Sequence, residues 1–210
     1  MKRTSLTIIF ACCILALAAQ DVIKVNFKGA KPTISDLAWA YLNDYEYDEN
    51  DDDCINEARA VVKQAWSVYR KGGELNEDEK LSVDNKNGYA IYEHRSEYES
   101  VEDVFQAEMC YWNEADGKHK LFAFNVKCFT NGKYSPGQFD GLQFYRYNNA
   151  TKKMTSYQMP GFNSSLYTED GAYITYSLPR VGKDIVITYW YDNGTKKQKT
   201  LKWNGRKFSK

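Results

Sequence analysis

Two runs of 3.6-residue apolar periodicity, followed by a long stretch of period two broken by turn dipeptides, predict an α+β protein with its helices first. The ring content agrees: 17 Tyr, 10 Phe and 5 Trp against four Pro suit a chain dominated by β-strands. The expected architecture is two N-terminal helices packed on a mainly antiparallel β-meander or curved β-sheet.

Residues 20–32 form an extended lead, with Val22, Ile23, Val25 and Phe27 apolar. Over Thr33 to Asn43, the residues Ile34, Leu37, Ala38, Tyr41 and Leu42 recur at i, i+3, i+4, i+7 and i+8, with Thr33 or Ser35 as cap. An acidic stretch, 44–53, places aspartates where a following helix favours negative charge. That helix runs from about Cys54 to Lys71, with Ala58, Val61, Val62, Ala65, Trp66 and Tyr69 on one stripe and Gly72-Gly73 as its stop.

From Leu81 the period becomes two. Asn87-Gly88 between Leu81–Val83 and Tyr89–Tyr92 signals a hairpin. Further strands are expected at 104–112, 119–129, 142–147, 154–159, 172–178, 185–191 and 197–203. Asp116-Gly117, Asn148-Asn149, Gly182-Lys183, Asn193-Gly194 and Asn204-Gly205 separate them. Residues 20–210 therefore read as a single α+β domain, a helical lead to residue 80 and antiparallel β from 81. The segment Tyr147-Asn-Asn-Ala-Thr-Lys-Lys153 recurs as Tyr191-Asp-Asn-Gly-Thr-Lys-Lys197. Three such units are too few for a closed propeller, so shared turn chemistry explains the echo.

Lys2 and Arg3, the apolar run Leu6–Leu17, and small Ala16, Ala18 and Ala19 before Gln20-Asp21 read as a signal peptide spanning residues 1–19. Cleavage near Ala19 implies a secreted or periplasmic protein. No later apolar segment has spanning length, so the mature chain is not expected to cross a membrane. Removal of the signal takes Cys12 and Cys13 and leaves Cys54, Cys110 and Cys128. A two-residue turn at Asp116-Gly117 pairs Cys110 with Ala123 and Cys128 with Phe105. Positions 105 and 110 face opposite sides of the sheet, which argues against a Cys110–Cys128 disulfide.

Twenty-eight basic and 28 acidic residues give zero formal charge, which speaks against a nucleic-acid binder as the default. Neutrality hides a division. Residues 41–120 hold 21 acidic and nine basic residues, whereas 121–210 hold five acidic and 14 basic.

Catalytic motifs are lacking. The two histidines, His94 and His119, sit in no metal-ligand spacing, and no C-x-x-C, G-x-S-x-G, P-loop or dinucleotide glycine pattern occurs. No cofactor and no metal site are expected. An EF-hand read from Asp48 places Asp53 where Gly is needed and Arg59 where Glu is needed. Asn149, Asn163 and Asn193 stand in N-x-[ST] sequons, which matter only in a glycosylating host.

Rings on adjacent strand positions put aromatics on both faces of the sheet. The late rings Tyr189, Trp190, Tyr191 and Trp203 are the candidate binding residues, for stacking on a glycan or on an apolar patch of a protein partner.

The compact signal ending Leu-Ala-Leu-Ala-Ala-Gln-Asp, the Tyr-Asn-Asn-Ala-Thr-Lys-Lys-Met segment and the closing Leu-Lys-Trp-Asn-Gly-Arg-Lys-Phe resemble small uncharacterised exported proteins of Bacteroidales. The resemblance is one of style, and it implies a periplasmic or surface location and no particular activity. The expected function is thus an exported, non-enzymatic binding or interaction protein. The alternatives are a small secreted hydrolase using His94 or His119 with a carboxylate or cysteine, and an inhibitor or immunity-type protein using the acidic loop 44–53.

Overall fold

The computed structural model describes residues 22–44, 54–136, 140–160, 162, 168 and 171–209. The signal segment, the acidic residues 45–53 and sequon Asn163 lie outside them.

Helix α1 spans Ile34–Asn43, and its five periodic apolar residues are all buried. Thr33 caps it with a reciprocal box: its hydroxyl accepts from the Asp36 amide, and the Asp36 carboxylate accepts from the Thr33 amide at 2.8 Å. Helix α2 spans Cys54–Arg70. Ala58, Val62, Ala65 and Trp66 are buried, but Val61 and Tyr69 are each 44% exposed. The buried stripe is therefore narrower than its sequence suggests. The helix ends where Gly72 takes φ +71° and the Gly73 amide returns to the Val68 carbonyl. Arg59, itself buried, ties the two helices together: its guanidinium donates to the Tyr41 carbonyl and lies 4.1 Å from the Tyr41 ring centre.

Among the described residues, twelve strands follow the helices or flank them: β1 (Val22–Lys24), β2 (Glu79–Asp84), β3 (Tyr89–Tyr98), β4 (Val101–Asn113), β5 (His119–Thr130), β6 (Lys133–Tyr134), β7 (Gly141–Asn148), β8 (Lys153–Ser156), β9 (Tyr173–Ser177), β10 (Ile185–Trp190), β11 (Lys196–Trp203) and β12 (Phe208–Ser209). They form two antiparallel sheets rather than one. The larger runs β1-β8-β7-β5-β4-β3-β2, with β6 beside β5, and the smaller runs β12-β11-β10-β9. The extended lead supplies β1, an edge strand paired with β8.

Strand alternation in the large sheet separates two cores. Ala107 and Met109 of β4 and Phe122, Phe124 and Val126 of β5 share a buried cluster with both helices. Tyr41 meets Phe122, Phe124 and Tyr145 there at ring separations of 5.0–5.5 Å. Cys110 and Trp112 of β4 and Leu121 and Ala123 of β5 point the other way. They share a second cluster with Ile174, Tyr176, Ile185, Ile187, Leu201, Trp203 and Phe208 of the small sheet.

The central hairpin has the register its turn predicts, with Cys110 opposite Ala123 and Phe105 opposite Cys128. Both thiols are free. Gly88 closes the β2–β3 hairpin at φ +70°, and a Cβ there would lie 2.9 Å from the Tyr111 ring, so both backbone and space select glycine.

The echoed turns join β7 to β8 and β10 to β11. In the first, Asn148 Oδ1 accepts from the amides of Ala150 and Thr151; in the second, Asn193 Oδ1 accepts from Thr195. The capping asparagines occupy different places in the two segments, which fits turn chemistry rather than a structural repeat.

Candidate functional site

Parity along β10 decides which late rings face outward. Ile185 and Ile187 belong to the core between the sheets, and Tyr189 packs against it, so Val186, Thr188 and Trp190 project from the opposite face. Trp203 shares the inward parity of Leu201 and is only 8% exposed, packed 4.9 Å from Phe208 and 6.1 Å from Trp112. It is a core ring and presents no contact surface. Tyr191 lies just past β10, half-buried, with Lys197 Nζ 5.3 Å from its ring centre. The four rings named from sequence thus do not make one patch.

Trp190 gathers a different set. Phe129 at the end of β5 lies 6.2 Å from it and Tyr134 of β6 lies 6.0 Å from it. Tyr134 also meets Tyr173 of β9 at 6.1 Å. Trp190 Nε1 donates to Thr175 Oγ1 at 2.9 Å, which fixes the indole plane. All four rings are half-buried. Tyr173, Trp190 and Lys196 are direct cross-strand partners in one row, and Lys196 Nζ stands 5.4 Å from the Trp190 ring centre. The next row is Thr175, Thr188 and Gln198, with Gln198 Nε2 donating to Thr188 Oγ1 at 3.2 Å. The sequence reading named Trp190 and did not name Phe129, Tyr134 or Tyr173, which the fold gathers around it. The Ile185-Ile187-Tyr189 parity was the signal that could have singled out Trp190 as the outward ring.

The small sheet is held to the large one by polar groups as well as rings. Strand β9 is an edge, and its free backbone meets side chains of β4 and β5: Asn125 Nδ2 donates to the Tyr176 carbonyl at 2.9 Å, and the Leu178 amide donates to Glu108 Oε2 at 3.1 Å. Glu108 also accepts from Tyr89 and Asn125 and pairs with Lys127 at 3.1 Å. These groups cover an edge that would otherwise be open.

The histidines are both engaged by carboxylates. His94 Nε2 lies 3.1 Å from Asp78 Oδ2. His94 also lines a cleft of about 270 Å³ with Phe105, Cys128, Phe129 and Pro136. His94 pairs with Phe105, which pairs with Cys128, so two strand spacings, about 10 Å, separate the imidazole strand from the thiol strand. Burial and the neighbouring Asp140 carboxylate push the Cys128 thiol up to about 12, the wrong direction for a nucleophile at neutral pH. Burial raises the Cys110 thiol well above the usual range too.

His119 Nδ1 lies 2.6 Å from Asp116 Oδ2. The side-chain amide of Asn148 lies 3.2 Å from His119 Nε2, the ring nitrogen opposite the hydrogen bond to Asp116. That hydrogen bond, with the Lys118 and His119 backbone amides, lowers Asp116 to about 2. Glu114, Asp116 and His119 bring ligand atoms within 4.8 Å of one another. The Arg146 guanidinium already grips Glu114 through Nε at 2.7 Å and Nη2 at 2.6 Å and reaches Asp116 at 3.5 Å. Two of the three groups are therefore already paired with a cation of the protein's own.

No helix among the described residues is long and apolar enough to cross a membrane. No family model, no curated protein and no solved structure matches the chain.

Proposed function

We propose that this is an exported binding protein that carries out no catalysis, and that it meets a glycan or protein partner through the surface centred on Trp190. Two N-terminal helices packed on the large sheet serve as its scaffold, and the small sheet presents the contact face. The observation that carries the reading is the pinned indole: a half-buried Trp, oriented by Thr175 and flanked by Phe129, Tyr134 and Lys196. A ring held in place before binding loses little freedom on contact, and Trp is among the residues enriched where binding energy concentrates. Export rests on residues 1–19, whose charged start, apolar run and small-residue end have the form of a signal.

The test is a glycan array together with partner capture, using the wild-type chain and Trp190→Ala. Hits that vanish with the substitution support the reading, and hits that survive it refute it.

The hydrolase reading has one observation in its favour, the His94–Asp78 pair at the edge of a cleft that also holds Cys128. A protonated Cys128 two strands away weakens it. Ester or peptide hydrolysis by the purified chain, abolished by His94→Ala, would install it in place of the binding reading.

A further inference from the structure

Strands β9 to β12 carry no Asp or Glu at all. Residues 171–209 together hold eight basic residues and two acidic ones, Asp184 and Asp192, and neither acid lies on a strand of the small sheet. The outer face of that sheet is ordered by pairing register, and within it Thr175 and Thr188 are buried while β11 is exposed. Its first row is Tyr173, Trp190 and Lys196, its second Thr175, Thr188 and Gln198, and its third Ser177, Val186 and Thr200. Lys202 follows on the same face of β11 by parity and is exposed, as are Lys196, Gln198 and Thr200. An aromatic platform thus lies at one end of the exposed strand β11, whose outer face carries Gln198 and Thr200, with an ammonium beside the platform and another about 20 Å away along the strand.

This arrangement combines three recognition elements. The indole face and the adjoining Tyr rings offer flat apolar area for the C–H face of a pyranose. The exposed Gln198 and Thr200 side chains suit hydroxyl groups. The ammonium groups of Lys196 and Lys202 suit negative charge, and the absence of any strand carboxylate removes the repulsion that would oppose it. A neutral sugar would use the first two elements and leave the third idle. An acidic peptide would use the third and leave the ring platform to chance.

We infer that the ligand of the small sheet is an acidic saccharide, a chain of sugar rings bearing carboxylate or sulfate groups, stacked on Trp190 and paired with Lys196 and Lys202. The inference rests on the Trp190 contact surface and adds the class of ligand. Carboxylate and sulfate share the chemistry that the lysines recognise, and separate probes tell them apart.

The experiment is isothermal titration of the purified chain with four probes: a galacturonate hexasaccharide, a heparin-derived hexasaccharide, neutral cellohexaose and hexaglutamate. One or both acidic sugars should bind, and binding should weaken about tenfold or more in Trp190→Ala. It should weaken about three- to tenfold in Lys196→Gln/Lys202→Gln, with a shallower salt dependence than wild type. Circular dichroism of each variant confirms that it is folded. Equal binding of cellohexaose, unchanged in the lysine variant, overturns the acidic ligand and leaves the Trp190 surface standing. Hexaglutamate binding as tightly as the sugars overturns it in favour of an acidic polypeptide. Acidic-sugar binding that Trp190→Ala does not alter overturns this inference and the contact surface together, whereas no binding by any of the four overturns this inference and leaves the contact surface to the array and capture test.

Discussion

Glu108 of β4 and Lys127 of β5 face each other at 3.1 Å in the space between the two sheets, both more than nine-tenths buried. The pair does not stand alone. Tyr89, Asn125 and the Leu178 amide also donate to the carboxylate, and Lys127 reaches Ser177 Oγ at 3.3 Å. A buried ion pair is weak evidence of stability by itself, but breaking one side strands the other charge. Removing Glu108 also strands the Leu178 amide just past the end of β9.

Lys127→Ala should therefore cost about 3–5 kcal/mol in urea unfolding, and Glu108→Ala at least as much. The double replacement Glu108→Gln/Lys127→Met should recover part of the loss, because no unpaired charge is left. Single replacements costing under about 1 kcal/mol would show that the small sheet is held by its apolar core alone.

The turn between β4 and β5 makes a prediction about acid. Asp116 is held near 2 in the folded chain by His119 and two backbone amides. A depressed carboxylate adds stability that is present in full above its unfolded value, about 3.9, and is lost as pH falls through the folded value. Thermal melting of the wild type should thus fall between about pH 4 and pH 2 more steeply than that of Asp116→Asn. Parallel slopes for the two proteins would contradict the assignment. Direct titration of the Asp116 carboxyl by NMR checks the value itself.

The thiols should be inert for a physical reason. In a Cys12→Ser/Cys13→Ser/Cys54→Ser background at pH 8, the native chain should react slowly with a disulfide reagent at Cys128 and not measurably at Cys110 until denaturant opens the core. Rapid labelling of Cys128 would mean a thiolate is accessible and would revive the hydrolase reading. No intramolecular disulfide should appear under oxidation, since Cys110 and Cys128 point to opposite faces of the sheet.

Gly88 and Gly117 separate backbone strain from crowding. Both have positive φ, +70° and +66°, but only at Gly88 would a Cβ meet another group, the Tyr111 ring at 2.9 Å. Gly117→Ala should cost about 1–2 kcal/mol from conformation alone. Gly88→Ala should cost more, and Gly88→Ala/Tyr111→Leu should bring it back towards the Gly117 value. Equal costs for both glycines would show that the Tyr111 ring moves aside freely.

Much of this architecture was legible because its signals are local. The Asp116-Gly117 turn set the register of the longest hairpin, and register then settled the disulfide question without any tertiary information. Helix α1 was equally plain, since its five apolar residues and its cap lie within eleven positions. The division into two sheets was not legible. The break falls between β8 and β9, and no local pattern there says that the strands stop pairing in sequence. The outer half of β3, Glu93 to Tyr98, reads as surface because β4 supports its backbone while its side chains meet water. Strands β6 and β12 are two residues each, too short for any period. The error over Trp203 has the same root. Adjacent strand positions must face opposite ways, but which way is inward depends on the partner sheet, and Lys197 and Lys199 obscure the inward parity that Leu201 and Trp203 obey.

That distinction between two tryptophans also separates their energetic roles. Trp203→Ala removes a buried ring and should cost about 3–5 kcal/mol of stability, whereas Trp190→Ala should cost about 1–2 kcal/mol and chiefly affect binding. The most direct test labels the chain with 5-fluorotryptophan. Its five resonances, from Trp39, Trp66, Trp112, Trp190 and Trp203, are assigned by single replacement with Phe and followed by fluorine NMR as the ligand recovered from the array is added. The Trp190 signal should shift and saturate while those of Trp66, Trp112 and Trp203 stay in place. Saturation that moves another resonance and leaves Trp190 unmoved would contradict the contact surface outright.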